Sequence, residues 1–308
     1  MSDMGDRTVT EPEKFVFDRH LTTLNVRIVN GTVNVVGTEE GPARLEVAEI
    51  DGPPLKVQLQ GSTLTVTYED LPWKHLLKWW DRKGWHRHAV ISLAVPQRTQ
   101  VEVGVVGASA VISGITGPTS VQGVSGDTTL VGLTGPVKAH TVSGNVEAQS
   151  VAGDLSFKTV SGDLTVVEGS GSEVRGDSVS GSMVLDLDPS AGADVRLTTV
   201  SGEIAIRIPE PGDAQVDAST TGGHVSCAFD ELHVSDLWGA KKITGRIGSG
   251  AARLKASTVS GAIALLRRPP LDEGAEGAEG AERAEGAERA EGADTADAPE
   301  APSFRKES

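Results

Sequence analysis

Apolar and polar residues alternate over short runs along most of this chain, and the runs recur at a fixed length. Leu164-Thr165-Val166 is typical: a period of two is the mark of a strand that buries one face. Runs are closed by glycine corners. Gly117, Gly126, Gly135, Gly144, Gly153, Gly162 and Gly171 follow one another at intervals of nine residues. Their neighbours alternate between two kinds. Ile115-Thr116-Gly117-Pro118, Leu133-Thr134-Gly135-Pro136 and Val151-Ala152-Gly153-Asp154 form one set. Val124-Ser125-Gly126-Asp127, Val142-Ser143-Gly144-Asn145 and Val160-Ser161-Gly162-Asp163 form the other, continued at looser spacing by Val179-Ser180-Gly181, Val200-Ser201-Gly202 and Val259-Ser260-Gly261.

The unit is therefore 18 residues with two unlike corners. Gly tolerates positive φ, Pro presets φ, and Ser and Asp bond local backbone, so each corner carries turn chemistry. Two strands and two corners close one coil. Stacking such coils at about 4.8 Å sets Val124 over Val142 over Val160, with backbones hydrogen-bonded in parallel. A fully buried Val contributes about 1.5–3 kcal/mol, so only the stack is stable. An antiparallel meander explains the nine but not the alternating corners. The expected fold is all-β: a β-solenoid of roughly 18-residue two-strand coils over residues 99–268.

Ahead of the repeat, residues 15–98 form a strand-rich layer expected to start or cap the stack. Phe15-Val16-Phe17, Leu24–Ile28, Thr32–Val36, Leu45-Glu46-Val47, Leu55-Lys56-Val57, Thr63–Val66 and Val90–Val95 all alternate. Asn30-Gly31 between two of these runs signals a hairpin. Residues 1–14 read as a disordered arm. After Arg267-Arg268-Pro269-Pro270 the composition shifts to Glu-Gly-Ala and Glu-Arg-Ala triplets, so 269–308 is expected to be a disordered acidic tail.

One segment breaks the pattern. Residues 71–88 hold four of the five tryptophans. With Pro72 in a first helical turn, Trp73, Leu76, Leu77 and Trp80 fall on one face, while Lys74, His75, Lys78 and Arg82 fall on the other. Lys83 precedes Gly84, which suits a helix end. Two readings stand: a lid over the solenoid's apolar end, or docking of the Trp face on an anionic membrane or a partner's groove.

Aromatic residues make up only 4% of the chain, so its core rests on Val, Leu, Ile and Ala. The formal charge of -15 argues against nucleic acid as a partner. From Leu271 to Ser308 there are 12 acids against 4 bases, so the tail carries about half of that charge. Cys227 is the sole cysteine and reads as a buried thiol in a strand. The polar N-terminus has no apolar signal region, and no run of apolar residues spans a bilayer, so a cytoplasmic location is expected, with peripheral attachment at the inner face of the membrane as a variant.

Chemistry is sparse. Asp127, Asn145, Asp154 and Asp163 follow corner glycines as in calcium-binding nonapeptide rolls, but each corner has one Gly, and Ca²⁺ takes six or more oxygens. Asp163, Glu168 and Glu203 are candidate carboxylates for sugar cleavage, without aromatic platforms beside them. His86 and His88 lie close together within the Trp segment as a candidate pair of metal ligands. No phosphate loop, nucleophile elbow or zinc spacing is present, and no catalytic residue or cofactor is expected.

The Val-Ser-Gly-Asp corners at 124–127 and 160–163, Val-Ser-Gly-Asn at 142–145, the lead-in Leu93-Ala94-Val95-Pro96 with Val101-Glu102-Val103, and the opening Leu24–Val36 unit carry a resemblance. Over roughly residues 15–266 the chain resembles the bacterial putative-adhesin β-strand-repeat family, a domain of unknown function related to the toastrack domains. The resemblance implies a stacked all-β fold, no known catalytic residues, and roles in adhesion or envelope-stress signalling. The expected function is a non-enzymatic interaction module for a protein partner. The alternative is a peripheral membrane binder acting through residues 71–88. A polysaccharide- or Ca-binding solenoid comes third.

Overall fold

Period-two alternation becomes strand throughout: in the computed structural model every regular element of the described residues, 6–68, 87–188, 192–237 and 239–268, is β. The proposed contact residues between 71 and 86, and His86 of the candidate His pair, lie outside them. The chain divides after Arg268 into two units, and only the first contains described residues.

Strands β1 (Arg7–Val9), β2 (Glu13–Phe17), β3 (Thr23–Ile28), β4 (Asn30–Thr38), β5 (Ala43–Asp51), β6 (Leu55–Gln60) and β7 (Thr63–Tyr68) precede the Trp-rich segment, and β8 (His88–Pro96) follows it. The repeat begins with β9 (Gln100–Val105), β10 (Ser109–Ser113), β11 (Thr119–Gly123), β12 (Thr128–Val131), β13 (Val137–His140) and β14 (Val146–Gln149). It continues with β15 (Leu155–Lys158), β16 (Leu164–Gly169), β17 (Glu173–Asp177), β18 (Met183–Leu187), β19 (Asp194–Thr199) and β20 (Ile204–Ile208). The last strands are β21 (Ala214–Thr220), β22 (Val225–Cys227), β23 (Leu232–Leu237), β24 (Ala240–Ile247), β25 (Ala252–Thr258) and β26 (Ile263–Arg267).

These build one 14-stranded and one 12-stranded sheet. From β9 to β20 the chain alternates between them, and each strand up to β18 pairs in parallel with the strand two ahead. Thr128 lies against Val146 and Val146 against Leu164, an offset of one 18-residue unit. This is the solenoid that the alternating corners predict.

Inward positions are filled by aliphatics of matched size. Phe157, fully buried, lies in register with Ala139 on one side and Gly176 on the other. A Cβ on Gly176 would press on Met183 and Leu197, so the large ring and the missing side chain share one layer. Each buried Leu, Ile or Val here contributes on the order of 1.5–3 kcal/mol, and neighbouring coils supply the contacts that a lone coil lacks.

The N-terminal layer starts and caps this stack. Strands β7 and β8 form a coil in parallel with β3 and β4, while β5 and β6 run antiparallel outside it and are covered in turn by β2 and β1. The end that a lid would cover is thus closed by antiparallel strands, which manage the exposed edge.

Asn30-Gly31 is not a hairpin. Strand β3 lies in the 14-stranded sheet and β4 in the 12-stranded sheet, so the turn is a solenoid corner. The same Asn-Gly chemistry serves both, since either turn draws on glycine's access to positive φ, +112° at Gly31 here, and local sequence carries no information on whether the next strand pairs or crosses.

The far end departs from sequence order. Strands β25 and β26 insert between β19/β20 and β21/β22, so the last coil in sequence is the second-to-last in space. Strands β24 and β23 close the 14-stranded sheet beyond β21 in antiparallel fashion. Cys227, on the short edge strand β22, is half-buried rather than fully enclosed, with its thiol 3.5 Å from the Phe229 carbonyl.

Candidate functional site

The two corners differ in where they aim their apolar residue. At one, Ile115, Leu133 and Val151 point inward and are at most 2% exposed. At the other, the buried residue is the one before the valine: Thr159, Ser178, Thr199 and Thr258, with Thr220 in the same place ahead of Thr221. Its hydroxyl accepts the amide of the glycine three residues on, as from Gly162 to Thr159 at 2.9 Å. The valine between them is left facing outward.

Each remaining position of the corner is set by the coil below. Ser143, Ser161 and Ser180 donate their hydroxyls to the carbonyls of Val124, Val142 and Val160 at 3.0, 3.3 and 3.1 Å. The glycine is required because its backbone lies directly on its predecessor. A Cβ on Gly144, Gly162 or Gly181 would come closer than 3.0 Å to the carbonyl oxygen of Gly126, Gly144 or Gly162. The motif Thr-Val-Ser-Gly is thus an inward cap, an outward apolar group, a rung-to-rung bond and a close backbone approach.

The result is an apolar stripe. Val142, Val160, Val179, Val200 and Val259 stand one above another and are 47–52% exposed. At about 4.8 Å per rung, the five span roughly 19 Å. The stacking of Val124, Val142 and Val160 expected from the spacing is present, but the ladder stands at the rim, and the core burial falls to residues such as Leu130, Ala148 and Val166.

A polar rail runs beside the stripe. Asn145 N–H donates to Asp127 Oδ1 and Asp163 N–H to Asn145 Oδ1, both at 3.0 Å, and Ser182 N–H donates to Asp163 Oδ1 at 2.7 Å. These oxygens, the candidate calcium ligands of the sequence, are spent on backbone amides. Asp154 likewise accepts from Ser172 and Glu173, and Glu168 from Ser150. Among the described residues no group of three or more His, Cys, Asp or Glu is arranged to hold a metal. Nor is any described helix long and apolar enough to cross a membrane.

At the head of the stripe the corner opens into a groove of about 420 Å³. Val106, Val124 and Val142 form one wall, Gly104 and Gly123 the floor, and Arg27, Gln122 and His140 the opposite rim. In register, Gly104 lies between Arg27 and Gln122, and Gln122 beside His140, so the missing side chain of Gly104 parts two long ones. Partial burial first, then the charges of Lys158 and Lys138, hold His140 below the ordinary imidazole value.

The Trp-rich segment joins the body at this same corner. Thr67 near the end of β7 pairs with Arg27, and His88 at the start of β8 pairs with Asn30, whose amide donates to the Arg87 carbonyl at 3.1 Å. The two ends of 69–86 therefore flank the Val29–Asn30 corner. Of the residues singled out in the sequence, Trp73, Leu76, Leu77, Trp80, Lys74, Lys78, Arg82 and Lys83 lie outside the described residues, and His88 is an exposed strand residue. Sequence reasoning missed the outward turn of the valines. The signal was present as a Thr or Ser before five of the six Val-Ser-Gly corners, a recurrence that the buried cap explains.

No curated protein matches the chain. Among solved structures, a "putative cell adhesion protein" from Clostridium sporogenes is similar at 13% identity, with 84% of this chain and 100% of that chain covered and a TM-score of 0.27. A "Putative lipid binding protein" from Parabacteroides distasonis is similar at 14% identity, covering 83% and 97%, with a TM-score of 0.49. Neither carries a functional argument at those scores. The family model named Toastrack DUF4097 matches residues 24–266, from β3 through β26, and the chain belongs to that family.

Proposed function

We propose that this Toastrack chain is a non-enzymatic interaction module that binds a protein partner along its valine corner, in envelope-associated signalling. The observation that carries the reading is the line of five valines, each about half exposed, on a corner whose counterpart buries its aliphatics completely. A contiguous apolar stripe on a polar surface marks contact with another molecule. The partner that fits is an amphipathic helix: one turn rises about 5.4 Å against about 4.8 Å per rung, so one apolar side chain per turn meets each valine. Asp127, Asp163 and Glu203 along the adjoining rail favour basic residues on that helix's flank.

Photocrosslinking tests this. With a benzophenone amino acid at Val160 or Val200, cells should yield an adduct of one discrete mass whose crosslink maps to a helix of the partner. The same probe at Thr165, on the outer face of β16, should not. The adduct should disappear when Val142 and Val179 are changed to Asp. Equal crosslinking at Thr165, or crosslinks mapping to residues 71–88 of the same chain, would overturn the partner reading.

A second reading, peripheral membrane docking through Trp73, Leu76, Leu77 and Trp80 with Lys74, Lys78, Arg82 and Lys83 toward headgroups, is favoured by one observation. The segment leaves and rejoins the body at the Val29–Asn30 corner, on the side of the stack that carries the apolar stripe and three coils from Val142. Co-sedimentation with anionic but not neutral vesicles, lost in Leu76→Glu/Trp80→Glu, supports it; a folded wild type that stays in the supernatant removes it.

A further inference from the structure

The coil formed by β11 and β12 breaks the corner rule. Where six other coils place Thr141, Thr159, Ser178, Thr199, Thr258 or Thr220 as the inward cap, this coil has Gly123, ahead of Val124-Ser125-Gly126. The backbone does not require glycine there. Its φ is not left-handed, and an added Cβ would meet nothing closer than Thr141 Oγ1 at 3.5 Å and Val105 Cγ2 at 3.6 Å, which are ordinary contacts. A threonine would fit and would cap Gly126 as its counterparts do. What glycine provides is the floor of the groove. With no side chain at 123, Thr141 is only half-buried whereas Thr159 is 8% exposed, and the walls of Val106, Val124 and Val142 stand clear.

The rim of that opening is cationic in a chain of net charge -15. Arg27 lines it, Lys138 and Lys158 lie close enough to depress His140, and His140, biased by them toward its neutral form, adds an imidazole N–H. Glu102, the carboxylate one row down on β9, accepts from Gln100 at 3.0 Å, and Asp127 gives Oδ1 to Asn145 on the far side of the valines. The volume of about 420 Å³ falls within the range of small-molecule sites, which are apolar with a few placed polar groups.

We propose that the groove between Arg27, Gly104, Gly123 and His140 is a binding site for a small amphipathic anion, with a flat or acyl apolar body over the two glycines and along the valines, and one acid group toward Arg27 and His140. This site shares Val142 with the helix contact along Val142–Val259 but rests on a different observation, the groove over Gly104 and Gly123, and the variants that test it leave the stripe intact.

The test uses the full chain and 8-anilinonaphthalene-1-sulfonate, with N-phenyl-1-naphthylamine as the same aromatic body without the acid. The wild type should bind the sulfonate saturably at one site and the neutral compound at least tenfold more weakly. Gly123→Thr restores the corner found in the six capped coils; it should unfold at a higher denaturant concentration than the wild type yet bind at least tenfold more weakly. Arg27→Gln/His140→Gln, with unchanged circular dichroism, should lose the preference for the sulfonate. Equal affinity for the two compounds, undiminished binding by a stably folded Gly123→Thr, or no saturable binding by the wild type would each overturn the proposal.

Discussion

The amide of Gly162 donates to the hydroxyl of Thr159, a residue only 8% exposed, and the same bond recurs from Gly144 to Thr141 through Gly261 to Thr258. The hydroxyl plays the part that a capping side chain plays at a helix start. It satisfies a backbone donor that the turning chain would otherwise leave buried and unpaired.

Replacing Thr159 with Val keeps the shape and removes the acceptor. Urea unfolding should show a loss of about 1–3 kcal/mol, the cost of an orphaned buried donor. An unchanged midpoint would mean that the amide finds another acceptor.

Glycine at the corner is a matter of space and not of dihedral angle. Gly162→Ala forces a Cβ onto the Gly144 carbonyl and should cost about 3 kcal/mol or more. Gly132, at φ +62° with nothing near its absent Cβ, supplies the contrast: Gly132→Ala should cost only about 1–2 kcal/mol, the strain of a left-handed residue. Thermal melts of the two variants side by side decide the order.

Asp213 ties the start of β21 to the turn before β25. Its carboxylate accepts from the Ser249 hydroxyl at 2.7 Å and the Ala251 amide at 2.9 Å, and these bonds, the hydroxyl first, hold it below the ordinary value of 3.8. A depressed carboxylate contributes stability that is present above 3.8 and lost as pH falls through its folded value. Asp213→Asn should therefore flatten the fall in unfolding midpoint below that pH and leave the slope at neutral pH unchanged.

His140 reports on its cationic surroundings. After desolvation, Lys158 is the larger of the two charges that depress it, ahead of Lys138. Lys158→Met should raise its titration midpoint toward 6.5, and Lys138→Met should do so by less, as followed by imidazole proton shifts.

The stack was legible in the chain because its period is written twice, once in the spacing of Gly117 to Gly171 and once in the alternation of Thr-Gly with Ser-Gly corners. Those positions are fixed by neighbours 18 residues away, and a constraint repeated at every rung leaves a periodic trace. Three features were not legible from the period. Asn30-Gly31 has the same local chemistry whether the next strand pairs with β3 or crosses to the other sheet. The outward turn of Val160 depends on Thr159 being buried, which alternation alone does not tell. The groove rests on a single departure, Gly123 in place of Thr, and one residue in a glycine-rich chain is visible as a departure only after the structural role of its counterparts is known.

The placement of β25 and β26 between β19/β20 and β21/β22 bears on how the chain is made. A ribosome delivers β21 and β22 before β25 and β26, the strands that join them to β19 and β20, so the growing stack holds an unfilled slot until residues 252–267 emerge. Most solenoids lengthen rung by rung and are as finished at any length as their last coil allows. This one is completed by a keystone, and a chain that stops short keeps open strand edges of the kind that pair with other chains. Synthesis of the final coil therefore separates whole molecules from fragments, which gives proteases and chaperones a physical mark by which to tell them apart.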